Sequence, residues 1–268
     1  MEEMKWADET ATSPYAKNKL MAKMTFMLAL GTLLLSFTMN TDFLTEQKAF
    51  ARVRTTINEK QSLLETTLKE NKIAFENLNL LFVAYKDDDL LEVYAKTKKE
   101  TTYRKLLSYN ICSRSGQLGP KRKQGDEQVP EGFYHIDRFN PMSKFYLSLG
   151  LNYPNLSDKR KGKAGSLGGD IFIHGSCVTI GCLPMTDTHI KEIYLLAVHA
   201  KNNGQSKIPV YIFPFKMTDQ NLATYKARYK DNKELTLFWE NLKPGYDKFT
   251  KYQRELDIEV AENGDYTY

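Results

Sequence analysis

Only three cysteines and four histidines occur among 268 residues, and this scarcity narrows the chemistry that the chain can carry. Three thiols leave at least one without an intramolecular partner. In an exported chain such a free thiol is a candidate reactive group. No segment is of low complexity and no internal repeat is present, so neither a solenoid nor a long tethering linker is expected. An excess of one charge is missing too. The formal net charge is +5 and the basic residues are spread along the chain rather than gathered into an arm. With no recognised nucleic-acid motif beside them, nucleic acid is not an expected partner. A mildly basic surface suits an anionic wall polymer or a membrane surface. What is present, 41% hydrophobic and 12% aromatic residues, suffices for one catalytic domain with appendages.

Long apolar runs are few. Residues 24–37 form the main one, after Lys17, Lys19 and Lys23; it has the length of a signal-peptide core and falls short of a typical membrane span. Export to the periplasm or cell envelope is therefore expected. No Ala-x-Ala site follows, and Ser36-Phe37-Thr38 is a weak substitute. An uncleaved inner-membrane anchor over residues 20–39, with Lys23 snorkelling at the inner face, stands beside cleavage. No cysteine follows closely, which argues against a lipoprotein anchor. Residues 1–42 are read as a cytoplasmic leader plus signal peptide or anchor.

Residues 43–77 are read as a helical spacer. Phe50, Val53, Ile57, Leu64 and Leu68 recur at mostly helical spacing, which predicts one long helix over 45–76. It either holds the catalytic domain off the membrane or packs its apolar stripe on that domain. Beyond it the pattern is mainly β. Residues 80–85 and 90–94 flank Lys86-Asp87-Asp88-Asp89 as a hairpin, and the three aspartates read as a solvated turn rather than a metal site, since no ligand-spaced His or Cys accompanies them. Further strands are expected over 106–112, 132–136, 145–149, 170–174 and 210–213. A Gly/Pro/Lys-rich loop spans 113–128. One clear helix carries Ile190, Ile193, Tyr194 and Ala197, with Thr186 or Asp187 as N-cap. Residues 218–268 form an extension of two helices, over 222–229 and 235–242, and a hairpin across Asn263-Gly264.

The segment IFIHGSCVTIGCLPM, residues 171–185, concentrates the chemistry. An apolar strand delivers His174, and Cys182 follows eight positions later, directly after Gly181. A free thiol titrates near ~8.5 and needs a neighbouring base to act at neutral pH. Glycine before the thiol lets backbone N–H groups approach a developing oxyanion. Cys177 is either a small packing residue or half of a bridge. A Cys112–Cys177 bridge would leave Cys182 free, whereas a Cys177–Cys182 bridge would block it as a redox switch. His135, His189 and His199 read as surface or packing histidines.

The run HGSCVTIGCLPM resembles the active-site signature of the L,D-transpeptidase catalytic domain (YkuD type), most closely its YafK-like branch. Gly119-Pro120-Lys121, QGDEQVPEGFYHI, LSLGLNYPN, Met185-Thr186-Asp187 and PVYIFPFKM resemble that branch in the same order. The resemblance implies a mainly β fold with flanking helices (α+β), a β-sandwich-like catalytic domain over residues 78–217. It also implies a cysteine acyl-transfer enzyme acting on peptidoglycan stem peptides without metal or organic cofactor. Cys182 would attack the L-centre carbonyl of the third stem residue, a diamino acid such as diaminopimelate. His174 would serve as general base and acid, the Gly175 carbonyl would orient it, and the N–H groups of Gly181 and Cys182 would hold the oxyanion. Lys121, Ser176 and Met185 are assigned to substrate binding. An amine would resolve the acyl-enzyme, forming a cross-link or attaching a wall protein. Water would make the enzyme a hydrolase of such links; a non-catalytic wall-binding module is the remaining alternative. Many members place Arg or Asn two positions after Gly-Cys, where this chain has Pro184. Substrate anchoring then falls to other cations, Lys121 or the run Lys159, Arg160, Lys161 and Lys163. The helix after the signature either aims its N-terminal dipole at the thiol or merely closes the sheet.

Overall fold

The strand β1 (Leu78–Tyr85) is buried along nearly its whole length, and its two sets of side chains feed two different cores. Leu80, Phe82 and Ala84 enter one, whereas Leu81, Val83 and Tyr85 enter the other, as the two-residue period of a strand requires. The computed structural model describes residues 42–162 and 165–268, with Asp42–Tyr268 forming one unit. The proposed leader and membrane segment, and Lys163 of the basic run, lie outside the described residues. Among those described, no helix is long and apolar enough to cross a membrane.

Around β1 an eight-stranded sheet is assembled. Antiparallel β2 (Leu90–Thr97) and β3 (Arg104–Asn110) extend one side, the first through the expected hairpin. On the other side lie β4 (Gly132–Asn140), β5 (Ser148–Leu151), β6 (Phe172–His174), β7 (Leu183–Pro184) and β8 (Ile208–Phe213), in the order β3-β2-β1-β8-β4-β5-β6-β7. β8 runs parallel to β1, and β7 parallel to β6. Flanking helices complete the mainly β fold expected from the sequence. Two strands begin later than their apolar runs: Tyr146 (φ 70°) and Asp170 (φ 56°) adopt left-handed backbone, so β5 starts at Ser148 and β6 at Phe172.

The single long helix is not formed. Two helices replace it, α1 (Phe43–Lys48) and α2 (Ala51–Glu70), because Phe50 is extended (φ −88°, ψ 130°) and caps the second. The second ends where Lys72 turns left-handed (φ 57°) and the Ile73 N–H bonds back to Leu68 O at 2.9 Å; a 3₁₀ turn, Phe75–Asn77, follows. Nor is this segment a free spacer. Val53, Leu64 and Leu68 are buried in the first core beside Ile190, Ile193 and Leu196 of α4 (Asp187–Asn202), and Lys60 pairs with Glu192 at 2.7 Å. Burying that apolar stripe stabilises more than leaving it in water, by roughly 1.5–3 kcal/mol per large side chain.

Opposite, the second core is closed by the C-terminal residues. After the short α3 (Leu156–Lys161) and α4, the chain forms α5 (Asp219–Arg228), α6 (Lys233–Tyr252) and the hairpin β9 (Glu259–Val260) with β10 (Tyr266–Thr267). Trp239, Leu242 and Phe249 of α6 pack under Val83 and Phe213. A buried ion pair joins this layer to the loops: Glu131 binds Lys86 at 3.0 Å, Gly119 N at 2.6 Å and Trp239 Nε1 at 3.0 Å. Every donor reaching that carboxylate is satisfied, the condition for a charge to persist in an apolar core.

Candidate active site

His174 ends β6, and the strand fixes it. Ile173 and His174 lie antiparallel to Leu149 and Ser148 of β5 and parallel to Leu183 and Pro184 of β7, so the ring is carried by a strand paired on both sides, and the residue is 1% exposed. The Gly175 carbonyl lies 2.6 Å from Nδ1, and Phe145 stacks on the ring with centroids 4.6 Å apart. The carbonyl can only accept, so Nδ1 carries the hydrogen and Nε2 the free lone pair of the neutral ring. Burial holds the imidazole below its ordinary pKa, with the Gly175 carbonyl opposing that shift. Gly175 permits this contact: a Cβ there would stand 2.5 Å from Asp187 Oδ1 and 2.9 Å from Phe145 O.

Cys182 is half-buried and free, because Cys177 is bonded to Cys112. It precedes Leu183, whose partner across the parallel pair is Ile173, so the thiol leads directly into the strand beside the one that carries the imidazole. The thiol donates to Asp170 O at 3.6 Å, and no thiol–imidazole hydrogen bond is among those formed by the described residues. Resting-state geometry of this kind tightens on substrate binding in many enzymes. Burial raises the thiol pKa; the Phe172 backbone N–H lowers it, the Asp170 carboxylate raises it and the Lys121 ammonium lowers it. A raised thiol beside a lowered imidazole makes the resting pair neutral rather than a thiolate–imidazolium pair.

The expected oxyanion donors are both present and both engaged. Thr179 Oγ1 accepts from Gly181 N at 3.2 Å and from Cys182 N at 2.8 Å, and donates to Cys182 O at 2.9 Å. Gly181 has φ 133°, a conformation that a side chain would strain. A hydroxyl three residues before the thiol thus ties the loop and occupies the N–H pair.

A family model described as the L,D-transpeptidase catalytic domain, YkuD, matches residues 79–212. YafK of Escherichia coli K12, a candidate L,D-transpeptidase, is 40% identical over 185 residues, 68% of this chain and 70% of that protein. The chain belongs to the L,D-transpeptidase family. YafK of Escherichia coli O157:H7 matches to the same extent. Among solved structures, a point mutant of the helical cell shape determining protein Pgp2 from Campylobacter jejuni is 25% identical, covers 64% of this chain and 59% of its own, and has a TM-score of 0.42. Bd1075 of Bdellovibrio bacteriovorus is 20% identical, covers 69% and 75%, and has a TM-score of 0.36.

Other residues expected at an L,D-transpeptidase site fall elsewhere. Met185 is wholly buried in the first core and donates its N–H to His174 O at 2.6 Å; it braces the histidine backbone and has no surface for a substrate. Lys121 is 4% exposed and spends its charge on Asp126 and Lys123 O, which fixes the loop while its field reaches the thiol. Ser176 is exposed, and its N–H donates to Asp187 Oδ1 at 2.9 Å. That contact turns the α4 N-terminus, capped by Thr186, towards Gly175 and Ser176. Pro184 lies in β7, where its carbonyl accepts from Cys112 N at 3.0 Å. Arg160 and Lys161 are taken up by the C-terminal hairpin, through Val260 O, Ala261 O and Asp265.

A cavity of about 210 Å³ is lined by Cys182 and Leu183 together with Asp87, Asp89 and Arg114. The aspartates lie in the solvent-facing β1–β2 turn expected for them, and each is also hydrogen-bonded. Asp87 accepts from Tyr225 and Arg114, Asp88 from Lys216 N at 3.0 Å, and Asp89 from Arg114. Thr179 carries a local signal, a hydroxyl poised to bond backbone N–H groups in a glycine-bearing loop. Phe145 and Arg114 carry none, since only long-range pairing brings them to the site.

Proposed function

We propose that the chain is a peptidoglycan-modifying cysteine acyltransferase. The observation that supports the reading is the free, half-buried Cys182 immediately before the strand that pairs with the one carrying His174, whose Nδ1 is held by Gly175 O at 2.6 Å. The substrate enters at the cavity with the L-centre carbonyl of the third stem-peptide residue over Sγ. His174 Nε2 takes the thiol proton as Sγ bonds to that carbonyl carbon. The oxyanion replaces Thr179 Oγ1 on the N–H groups of Gly181 and Cys182, each contributing about 3 kcal/mol to the barrier reduction. The intermediate collapses with rupture of the C–N bond, and the leaving amine departs with the proton from His174. A thioester remains. An acceptor amine then attacks it, His174 again moving the proton, and releases the cross-linked product with the free thiol.

Peptidoglycan is the substrate because the family modifies it, and a wall-attached protein bearing an amine is a second acceptor class. Such a substrate places the protein outside the inner membrane, which agrees with the apolar segment over residues 24–37. The test incubates the purified protein with tetrapeptide muropeptides. The expected products are D-alanine and a cross-linked dimer, with none from Cys182→Ala. Release of a tripeptide without a dimer makes the enzyme a hydrolase through the same thioester. No product at all, or a Cys182→Ala protein as active as the parent, overturns the assignment.

A further inference from the structure

One peptide group just after β6 is gripped from both ends. The Gly175 carbonyl meets His174 Nδ1 at 2.6 Å, and the N–H of that same peptide, which belongs to Ser176, donates to Asp187 Oδ1 at 2.9 Å. Imidazole, peptide and carboxylate thus form one chain of hydrogen bonds. The carboxylate also packs on Gly175 itself, since a Cβ there would stand 2.5 Å from Asp187 Oδ1. Strand register delivers Asp187 to this place. Pro184 of β7 pairs with His174, Met185 N donates to His174 O at 2.6 Å, and Cys177 N donates to Met185 O at 3.5 Å, so residues 185–187 run alongside 174–177. Thr186 caps α4 and Asp187 is its first residue, which turns the carboxylate back onto Ser176, eleven positions earlier.

The segment so held is one that needs holding. Ser176 (φ 69°) and Cys177 (φ 35°) are left-handed without being glycine, a backbone region that such residues visit rarely. Gly175 N is fixed by Phe145 O at 3.0 Å, but glycine leaves the rotation of the following peptide plane permissive. The Asp187 contact sets that rotation. We infer that Asp187 is a positioning residue for the base: by holding the Ser176 N–H it fixes and polarises the Gly175 carbonyl, and through it the Nδ1–H tautomer and the aim of His174. Hydrogen bonds in such a chain strengthen one another, because a peptide N–H engaged by a carboxylate leaves more negative charge on the carbonyl oxygen of the same peptide. Asp187 then does through a peptide what a directly bonded carboxylate does for the imidazole of a Ser-His-Asp triad. The inference rests on the acyl-transfer reading only for the reaction that the base serves.

The test compares three substitutions in the purified protein. Asp187→Asn keeps an acceptor in place without the charge, Asp187→Glu keeps the charge but carries it one methylene further, and Asp187→Ala keeps neither. Nitrogen NMR of the His174 ring reports its tautomer at neutral pH with no substrate present, and turnover of tetrapeptide muropeptides reports kcat and KM. The parent and Asp187→Asn should both show the Nδ1–H tautomer, with kcat values within about threefold of each other. Asp187→Ala and Asp187→Glu should show a mixture of tautomers and lose about tenfold in kcat, with KM within about twofold of the parent. A parental tautomer and kcat in Asp187→Ala overturn the inference. So does an Asp187→Glu protein that matches the parent while Asp187→Asn and Asp187→Ala fall together in Tm and kcat, the result of a charge that only stabilises the start of α4. Should Asp187→Ala not fold, Asp187→Asn against Asp187→Glu decides by the same two readouts. Tautomers that divide as expected in a protein without turnover sink acyl transfer and keep the positioning role; turnover by the parent, with tautomer and kcat unmoved in Asp187→Ala and Asp187→Glu, sinks the positioning role and keeps acyl transfer.

Discussion

His174 and Cys182 are held by opposite means. The imidazole belongs to a strand paired on both sides, is buried, stacked on Phe145 and fixed through Nδ1. The thiol sits at the end of a loop, where the Thr179 hydroxyl braces the N–H groups of Gly181 and Cys182. Base orientation is thus built into the sheet. The thiol and the N–H groups beside it are set by a few contacts that a substrate can exchange. Preorganisation is invested where the sheet supplies it without a loop having to be ordered on binding.

Mutation can break this comparison. Cys182→Ala should lower kcat/KM on muropeptides by about 10⁴-fold or more with Tm nearly unchanged, and His174→Gln by about 10³-fold, both measured by product chromatography. Gly175→Ala drives a Cβ into Asp187 and Phe145 O and should cost about 10²-fold through a displaced ring; activity within twofold of the parent would show that the sheet does not orient the base. Thr179→Val should cost about tenfold in kcat, with Thr179→Ser near parental values. If Val is faster, the hydroxyl acts as a plug on the oxyanion donors rather than as a brace.

Two weaker effects sharpen it further. Replacing Cys112 and Cys177 together by Ala removes a bridge across 65 residues and should lower stability by about 2–4 kcal/mol in denaturant titrations, with a smaller effect on kcat. The pH profile should move least. His174 acts as a base only when deprotonated, and burial keeps its pKa below 6.5. The acid limb of kcat/KM should therefore fall below the ordinary histidine range, and neutral pH should lie on the plateau of the base form. An acid limb above pH 7 would show an imidazole stabilised in its protonated form.

Much of this was legible in residue order. The β1–β2 hairpin, the α4 stripe and the Thr186 cap follow from periodicity and local hydrogen bonding, as does the closing hairpin at Asn263-Gly264. Two elements did not follow. The helical pattern from Phe50 to Leu68 is continuous in spacing, yet Phe50 is extended and the expected helix is two; a stripe records which side is apolar, not where packing on α4 bends the chain. Lys121 and Met185 look available in a signature and are not, because partner choice for a cation and burial of a thioether are decided by neighbours distant in sequence.

Sequence alone determined the reactive groups on offer, an odd number of thiols, one strand-borne imidazole and a glycine before Cys182, because these are properties of residue type and short spacing. It also determined the alternation that buries β1 on two faces. Only the tertiary structure decided which cysteines pair, what occupies the Gly181 and Cys182 N–H groups, and that Asp87, Asp89 and Arg114 share a cavity with the thiol. Those facts depend on strand order and loop closure, which bring together groups that the chain separates by tens of residues.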